Sequence, residues 1–255
     1  AGYLENYAKL QECSNEGVLK GYNIGGIAAY IGSYCKLKDC FNTAAISGQG
    51  QYTGGVAGQI NANAEVIDCY NAGSITGSGS AVYTSYTGGV AGFIGNYAVL
   101  KNCYNEGAII AGGGGGARSG GIVGNIGTNA TFKDCYNTGG ITGNGSSYVG
   151  GMAGYINNNL RALTNSYNTG EVAIEGTSSR YIGGIAGYLN GGSTGGEGVK
   201  ACYNTGDIFG GSNVGGVFGY VRNMNQPMTL CYNTGEVSAS ETSGGLVGFL
   251  GRASK

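Results

Sequence analysis

The sequence predicts an all-β fold, a parallel, right-handed, three-sided β-helix of about eight coils. Eight copies of one motif recur about every 30 residues, apolar residues occupy fixed positions in each copy, and glycines lie at the expected bends. Repetition at such a period is typical of a solenoid that stacks one unit on the next. We therefore interpret residues 1–255 as one solenoid, with repeats that start near residues 10, 37, 66, 100, 132, 163, 199 and 228.

The first predicted strand of each coil contains an aliphatic or aromatic core position, three residues before the cysteine of the motif. The positions are Leu10, Leu37, Val66, Leu100, Phe132, Leu163, Val199 and Met228. Side chains alternate across a strand, so the odd offset between this position and the cysteine predicts a corner between them.

The second predicted strand carries Cys-Tyr-Asn-Thr-Gly and an aliphatic residue. Its cysteine, asparagine and aliphatic positions share one parity, which predicts that they face inward. A buried amide must be hydrogen-bonded, so we expect the asparagines to form a ladder along the solenoid. We also expect the following Thr-Gly to form a bend in which glycine adopts positive φ. The ladder positions are Asn15, Asn42, Asn71, Asn105, Asn137, Asn168, Asn204 and Asn233.

The third predicted strand follows the glycine pair of each copy, with inward aliphatic residues two and six residues after the first glycine, as in Val56 and Ile60. No segment needs helical periodicity. The right-handed sense follows from the general preference of parallel connections.

Composition limits the classes of function. The chain has 13 basic and 14 acidic residues and a net charge of −1, which argues against a nucleic-acid partner. No apolar run is long enough to span a bilayer, so we expect no membrane insertion. With no histidine and no Cys-x-x-Cys pair, we expect neither a metal site nor a cofactor. The cysteines fit a reduced core column, with scattered disulfides, involving Cys35 among others, as the alternative.

An outward tyrosine column is the candidate binding face. It lies beside an acidic or amide column, and together these could bind a sugar or a protein. The alternative is a stacked ladder that stiffens the sheet. A second outward aromatic row, which includes Tyr30 and Phe93, is interpreted as structural or as a contact to a neighbouring domain. The candidate face comprises Tyr70, Tyr104, Tyr136, Tyr167, Tyr203, Tyr232, Asp68 and Asp134.

The glycine-rich half of the motif resembles a known repeat. Gly54-Gly55-Val56-Ala57-Gly58 and Gly244-Gly245-Leu246-Val247-Gly248 are similar to the GLUG repeat, and the resemblance covers all eight copies. That repeat occurs in large secreted or wall-attached bacterial proteins, including immunoglobulin A protease-like and adhesin-like proteins. The resemblance implies an extracellular or cell-surface region accessory to other domains, and it carries no catalytic residues.

Three functions remain open at this stage. The first is a non-catalytic rigid stalk, spacer or adhesin that binds host glycan or protein and connects flanking domains of a larger surface protein. The second is a fibre subunit that self-associates head to tail through open solenoid ends. The third is a polysaccharide-active β-helix enzyme, which the sparse, evenly repeated acids disfavour. We also expect the chain to be an excerpt of a longer protein.

Overall fold

The protein is an all-β solenoid of about eight coils in a computed structural model that describes residues 2–77, 84–176, 179–191, 196–224 and 227–251. The described residues contain 41 strands, which form five parallel sheets, numbered I to V along the coil from the first predicted strand. Each strand pairs with its counterparts in the neighbouring coils, as Tyr70 does with Tyr104 and Ile75 with Ile109. The all-β parallel solenoid predicted from the repeat is thus confirmed.

The strands of each sheet are as follows. Sheet I contains β2 (Lys9–Gln11), β7 (Lys36–Lys38), β12 (Glu65–Ile67), β17 (Val99–Lys101), β22 (Thr131–Lys133), β27 (Ala162–Thr164), β32 (Gly198–Lys200) and β37 (Met228–Thr229). Sheet II contains β3 (Ser14–Asn15), β8 (Phe41–Asn42), β13 (Tyr70–Asn71), β18 (Tyr104–Asn105), β23 (Tyr136–Asn137), β28 (Tyr167–Asn168), β33 (Tyr203–Asn204) and β38 (Tyr232–Asn233). Sheet III contains β4 (Leu19–Gly21), β9 (Ile46–Gly48), β14 (Ile75–Thr76), β19 (Ile109–Ala111), β24 (Ile141–Asn144), β29 (Val172–Glu175), β34 (Ile208–Gly210) and β39 (Val237–Ala239).

The remaining two sheets flank the glycine pair. Sheet IV contains β5 (Ile24–Gly25), β10 (Tyr52–Gly54), β15 (Tyr86–Gly88), β20 (Gly114–Gly120), β25 (Ser146–Gly150), β30 (Tyr181–Gly183), β35 (Val214–Gly215) and β40 (Ser243–Gly244). Sheet V contains β1 (Tyr3–Leu4), β6 (Ala28–Ile31), β11 (Ala57–Ile60), β16 (Ala91–Ile94), β21 (Val123–Ile126), β26 (Ala153–Ile156), β31 (Ala186–Asn190), β36 (Phe218–Arg222) and β41 (Val247–Leu250).

A typical coil therefore has five short strands where the sequence predicted three. The corner predicted before the cysteine is present, and its residue adopts left-handed φ between 51° and 56° in every coil, as Asp68 and Asn102 illustrate. Left-handed backbone interrupts strand pairing and favours Asp and Asn, which explains why these two residue types dominate the position. A second left-handed corner separates sheet V from sheet I.

The interior consists of two separate apolar cores. The larger core lies between sheets I, II and V and includes Leu100, Cys103 and Ile122, while the smaller lies between sheets III and IV and includes Ile75 and Ile109. All five side chains are at most 1% exposed. The cores meet at a waist, defined here as the line where the glycine pairs contact the asparagine ladder.

The glycines at the waist are required by close approach. A Cβ atom on Gly55 would overlap the carbonyl oxygen of Gly89 and the side chain of Asn71. The same reason applies to the glycine of Thr-Gly, for which we expected positive φ. That expectation was wrong: Gly139 is not among the residues with positive φ, and its Cβ would instead overlap the carbonyl of Gly107 in the preceding coil. The repeated glycines thus allow one coil to lie directly on the next.

Within the described ranges, no helix is long and apolar enough to cross a membrane.

Candidate functional site

The predicted tyrosine face is a continuous stack of aromatic rings on the outside of sheet II. Adjacent ring centroids lie 4.7–5.2 Å apart and ring planes differ by 1–6°. We call this stack the tyrosine ladder; its members are Phe41, Tyr70, Tyr104, Tyr136, Tyr167, Tyr203 and Tyr232. Its outward orientation agrees with the parity of the sequence.

Stacking limits what the tyrosine ladder can bind. Each ring between the two ends has a neighbouring ring on both faces, so only ring edges and hydroxyl groups are turned to solvent. Sugar rings pack on aromatic faces, and in this stack the outer faces of Phe41 and Tyr232 are the ones without a ladder neighbour. The geometry therefore fits the stiffening ladder that the sequence offered as the alternative to a binding face.

The acidic residues assigned to the same face, Asp68 and Asp134, lie at the left-handed corner between sheets I and II, with φ of 55° and 56°. Each carboxylate accepts a hydrogen bond from the corner asparagine of the next coil, at 2.9 Å from Asn102 and 3.1 Å from Asn165. The described residues include no cluster of acidic residues and cysteines that could hold a metal ion. These side chains therefore connect neighbouring coils.

The asparagine ladder forms as predicted at the waist. In each internal copy, one amide hydrogen is donated to the Oδ1 atom of the next asparagine and the other to a backbone carbonyl two residues later. Asn71 donates to Oδ1 of Asn105 at 2.7 Å and to the carbonyl of Gly73 at 2.7 Å. The hydrogen bonds between side-chain amides run without interruption through Asn15, Asn42, Asn71, Asn105, Asn137, Asn168, Asn204 and Asn233.

The cysteine column lies inside the larger core, and all eight cysteines of the chain are free thiols. Cys103 donates to the carbonyl of Lys101 at 3.3 Å, and burial raises the pKa of its thiol well above the ordinary value. Ser166, which replaces cysteine in one coil, makes the equivalent bond to the carbonyl of Thr164 at 2.9 Å. A buried thiol with a raised pKa is a poor nucleophile, so Cys103 is suited to packing.

A second aromatic cluster, which we call the aromatic groove, lies where the outer surfaces of sheets IV and V meet. Side chains of the two sheets pack edge to face, for example Tyr148 against Tyr155 with centroids 5.4 Å apart. The sheet V row was predicted from the sequence, whereas the sheet IV column was not; that column contains Tyr52, Tyr86, Tyr148 and Tyr181. A recurring tyrosine two residues before the first glycine of a pair was the signal that could have identified it.

Arg118 lies inside the aromatic groove. It occupies the sheet IV column between Tyr86 and Tyr148, and its Nη1 donates to Oδ1 of Asn125 at 2.6 Å. The guanidinium carbon lies 4.0 Å from the ring centroid of Tyr155. Asn125 is the small residue that interrupts the sheet V row, so the guanidinium fills the space of a missing ring and makes a cation–π contact there.

The corner between sheets V and I carries a further set of tyrosines that the sequence analysis did not single out. Tyr7, Tyr34 and Tyr97 adopt φ of 66°, 60° and 58°, and their side chains are 69%, 50% and 56% exposed. In neighbouring coils, Asn63 and Asn129 occupy the same corner position with nearly the same φ. These three exposed rings are called the corner tyrosines below.

Comparisons with known proteins give no relative from which a function could be transferred. No family model matches the chain, and no curated protein or solved structure is significantly similar to it.

Proposed function

We propose that this chain is a non-catalytic, rigid spacer in a bacterial cell-surface or secreted protein, where it holds other parts of that protein apart and presents a surface for adhesion. The observation that carries the proposal is the uninterrupted asparagine ladder, which joins all eight coils through bonds of 2.7–2.8 Å. Extracellular placement and flanking domains follow from the resemblance of the glycine motif to the GLUG repeat.

The internal contacts favour a mechanical role. Bending the solenoid would separate neighbouring coils on one side. Every coil boundary carries five strand pairings, a side-chain hydrogen bond of the asparagine ladder and, in most coils, a stacked ring. Eight coils at about 4.8 Å each give a segment of roughly 40 Å. Because each unit contacts only its neighbours, such a segment lengthens by adding coils without a new fold.

The absence of a catalytic role is part of the proposal and rests on residue chemistry. The chain contains no histidine, which leaves it without the usual general base for hydroxyl or thiol nucleophiles. The corner carboxylates of Asp68 and Asp134 belong to different coils and bond to neighbouring amides, so they do not form the facing pair that glycoside hydrolysis uses.

Single-molecule pulling between residues 2 and 251 tests the spacer. The proposal predicts that a high force is needed to unfold the first coil and that the protein then lengthens in steps. Each step should release one coil of about 30 residues, or roughly 100 Å of extended chain. The Asn105→Ala variant should yield at lower force than the wild type, and Asn15→Ala at the first coil should change the force little. Smooth extension at low force in the wild type would contradict a spacer role.

A second candidate, a fibre subunit joined head to tail, is favoured by the polarity of the asparagine ladder. Asn15 presents Oδ1 on one side of the described segment and Asn233 presents Nδ2 on the other, in the same register as every internal pair. The inward positions Leu246 and Leu250 of the last coil are 44% and 67% exposed. A second copy stacked on this coil would cover them and pair the open strand edges.

Light scattering at increasing protein concentration tests this candidate. Head-to-tail stacking predicts a mass that grows with concentration and a Leu250→Glu variant that stays monomeric, with Ile110→Glu on the outer face of sheet III as the matched control. Ile110 is 52% exposed, so the same charge there should leave growth unchanged. A constant monomeric mass would contradict the fibre candidate.

A further inference from the structure

We infer that Tyr34 and Tyr97 form a binding slot for one ring of a neutral saccharide at the corner between sheets V and I. The inference deepens the proposed function, because it gives the adhesive surface a site and a ligand class. It rests on the spacer proposal only for its biological context. The site differs from the tyrosine ladder, in which each ring between the two ends is covered on both faces by neighbouring rings.

The Tyr34 ring is stacked on another corner tyrosine on one face only. Tyr34 stacks on Tyr7 of the preceding coil, with centroids 5.1 Å apart and planes 7° apart. Its other face is turned toward the third coil, where the corner residue is Asn63 and no ring is present. Tyr97 occupies the same corner of the fourth coil. One ring is therefore missing from a column that otherwise reads Tyr7, Tyr34, gap, Tyr97.

Backbone register sets the distance between Tyr34 and Tyr97. The corner residues of successive coils are in register, because Tyr34 N–H donates to the carbonyl of Ala62 and Asn63 N–H to that of Asn96. Tyr34 and Tyr97 are thus separated by two coil steps of about 4.8 Å. Stacked rings elsewhere on this protein are one such step apart. The spacing of the two tyrosine positions consequently accommodates one ring between them.

The backbone conformation at this corner is unfavourable for tyrosine. Left-handed φ is disfavoured for a bulky side chain and is tolerated best by Gly, Asn and Asp. Asn63, Asn129 and Asn159 use this corner with φ of 58°, 57° and 62°. Tyr34 and Tyr97 adopt the same left-handed φ although tyrosine disfavours it, and both residues are about half exposed and lie outside the core. Strain held at an exposed aromatic residue points to a binding role.

The residues around the gap favour a particular class of ligand. Aromatic faces pack on the C–H faces of a sugar ring, and the amide of Asn63, the corner residue of the intervening coil, can both donate to and accept from hydroxyl groups. The nearest charges that the sequence places beside the gap, Lys36 and Glu65, form an ion pair of 2.9 Å and neutralise each other. A neutral saccharide fits this combination better than an anionic one.

Isothermal titration calorimetry with cellohexaose, mannohexaose and N-acetylchitohexaose tests the inference. The wild type should bind at least one of these saccharides, and Tyr34→Asn and Tyr97→Asn should each weaken that binding about tenfold by removing one stacking face. Asparagine is native to this corner in other coils, so both variants should fold. Asn63→Tyr should abolish binding by filling the gap with a ring of the protein.

Tyr232→Asn is the matched control, since Tyr232 is 48% exposed and presents the open end of the tyrosine ladder. Its binding should equal that of the wild type. The inference would be overturned if the wild type bound none of the three saccharides. It would also be overturned if both corner variants bound as tightly as the wild type, or if Tyr232→Asn lost binding. Pulling experiments on the Tyr34→Asn, Tyr97→Asn double variant distinguish the saccharide site from the spacer role. The spacer role predicts that this variant unfolds at the same force as the wild type, whatever the calorimetry shows.

Discussion

Asn71 and Asn105 lie one coil apart at the waist, and Nδ2 of Asn71 donates to Oδ1 of Asn105 at 2.7 Å. Both side chains are fully buried. The bond joins two coils between the two apolar cores, where an amide without a partner would have no access to water. The asparagine ladder therefore stabilises the stack through the high cost of leaving any one amide unpaired.

Replacement of Asn105 by alanine should lower the free energy of unfolding by about 2–4 kcal/mol, because it leaves a donor of Asn71 and the Oδ1 acceptor of Asn137 without their partners. The midpoint of urea unfolding measures the loss. Asn15→Ala is the control at the first coil, where the side chain is only half-buried, and it should cost about 1 kcal/mol or less. Equal losses at the two positions would contradict this account of the ladder.

Glycine at the waist should be irreplaceable in the middle of the solenoid. The Cβ of alanine at position 89 would overlap the carbonyl oxygen of Gly121 and the side chain of Asn105, so Gly89→Ala should cost about 3 kcal/mol or prevent folding. Gly245 has the same place in the last coil, where a Cβ would have no atom within 4 Å. Gly245→Ala should leave the thermal midpoint nearly unchanged; a comparable drop in both variants would argue against the close approach.

The sequence predicted the parts of this fold that depend on position within one repeat. The inward columns of Ile75 and Asn71 and the outward column of Tyr70 follow from side-chain parity and repetition. The waist was not predictable in this way, because the overlap between Gly55 and Asn71 depends on how two distant parts of the coil approach each other. The cation–π contact of Arg118 and the spacing of Tyr34 and Tyr97 about Asn63 were missed because each depends on a departure of single coils from the shared pattern.

The tyrosine ladder should make stability fall at high pH. Burial, followed by the neighbouring rings of Tyr136 and Tyr70, raises the pKa of Tyr104 to about 12, and burial also raises the pKa of Tyr136. An unfolded tyrosine ionises near pH 10, so between about pH 10 and 12 the unfolded chain releases protons that the folded chain retains. The stabilisation is complete below about pH 10 and is lost as the pH rises to the folded pKa.

The urea midpoint measured from pH 8 to pH 12 checks this prediction. Tyr104→Phe keeps the stacked ring, as Phe41 does in the second coil, and removes the ionisable hydroxyl. The variant should therefore lose less stability than the wild type between pH 10 and 12. Identical pH profiles for the two proteins would show that Tyr104 makes no such contribution.

The two partly exposed thiols at opposite ends of the cysteine column should differ in reactivity. A hydrogen bond from the thiol of Cys202 lowers the pKa of Cys231 to about 7, whereas burial raises the pKa of Cys13 above its ordinary value. The thiolate is the reactive form, so near pH 7 iodoacetamide should modify Cys231 before Cys13. Cys103, whose thiol is fully buried, should react only after unfolding.

Peptide mass spectrometry over a time course of alkylation measures the order. Cys202→Ala removes the hydrogen-bond donor and should slow the modification of Cys231 toward the rate of Cys13. Equal initial rates for Cys13 and Cys231 in the wild type would contradict the assigned hydrogen bond.

Amide hydrogen exchange along the chain tests the central claim, that the asparagine ladder and the two cores join all coils into one continuous solenoid. The account predicts that amide exchange is slowest in the central coils, among them those that contain Asn71, Asn105 and Asn137 in β13, β18 and β23. This slow exchange should occur in all five sheets, and exchange should become faster toward both end coils. Fast exchange in a central coil, or protection confined to one or two sheets, would contradict it.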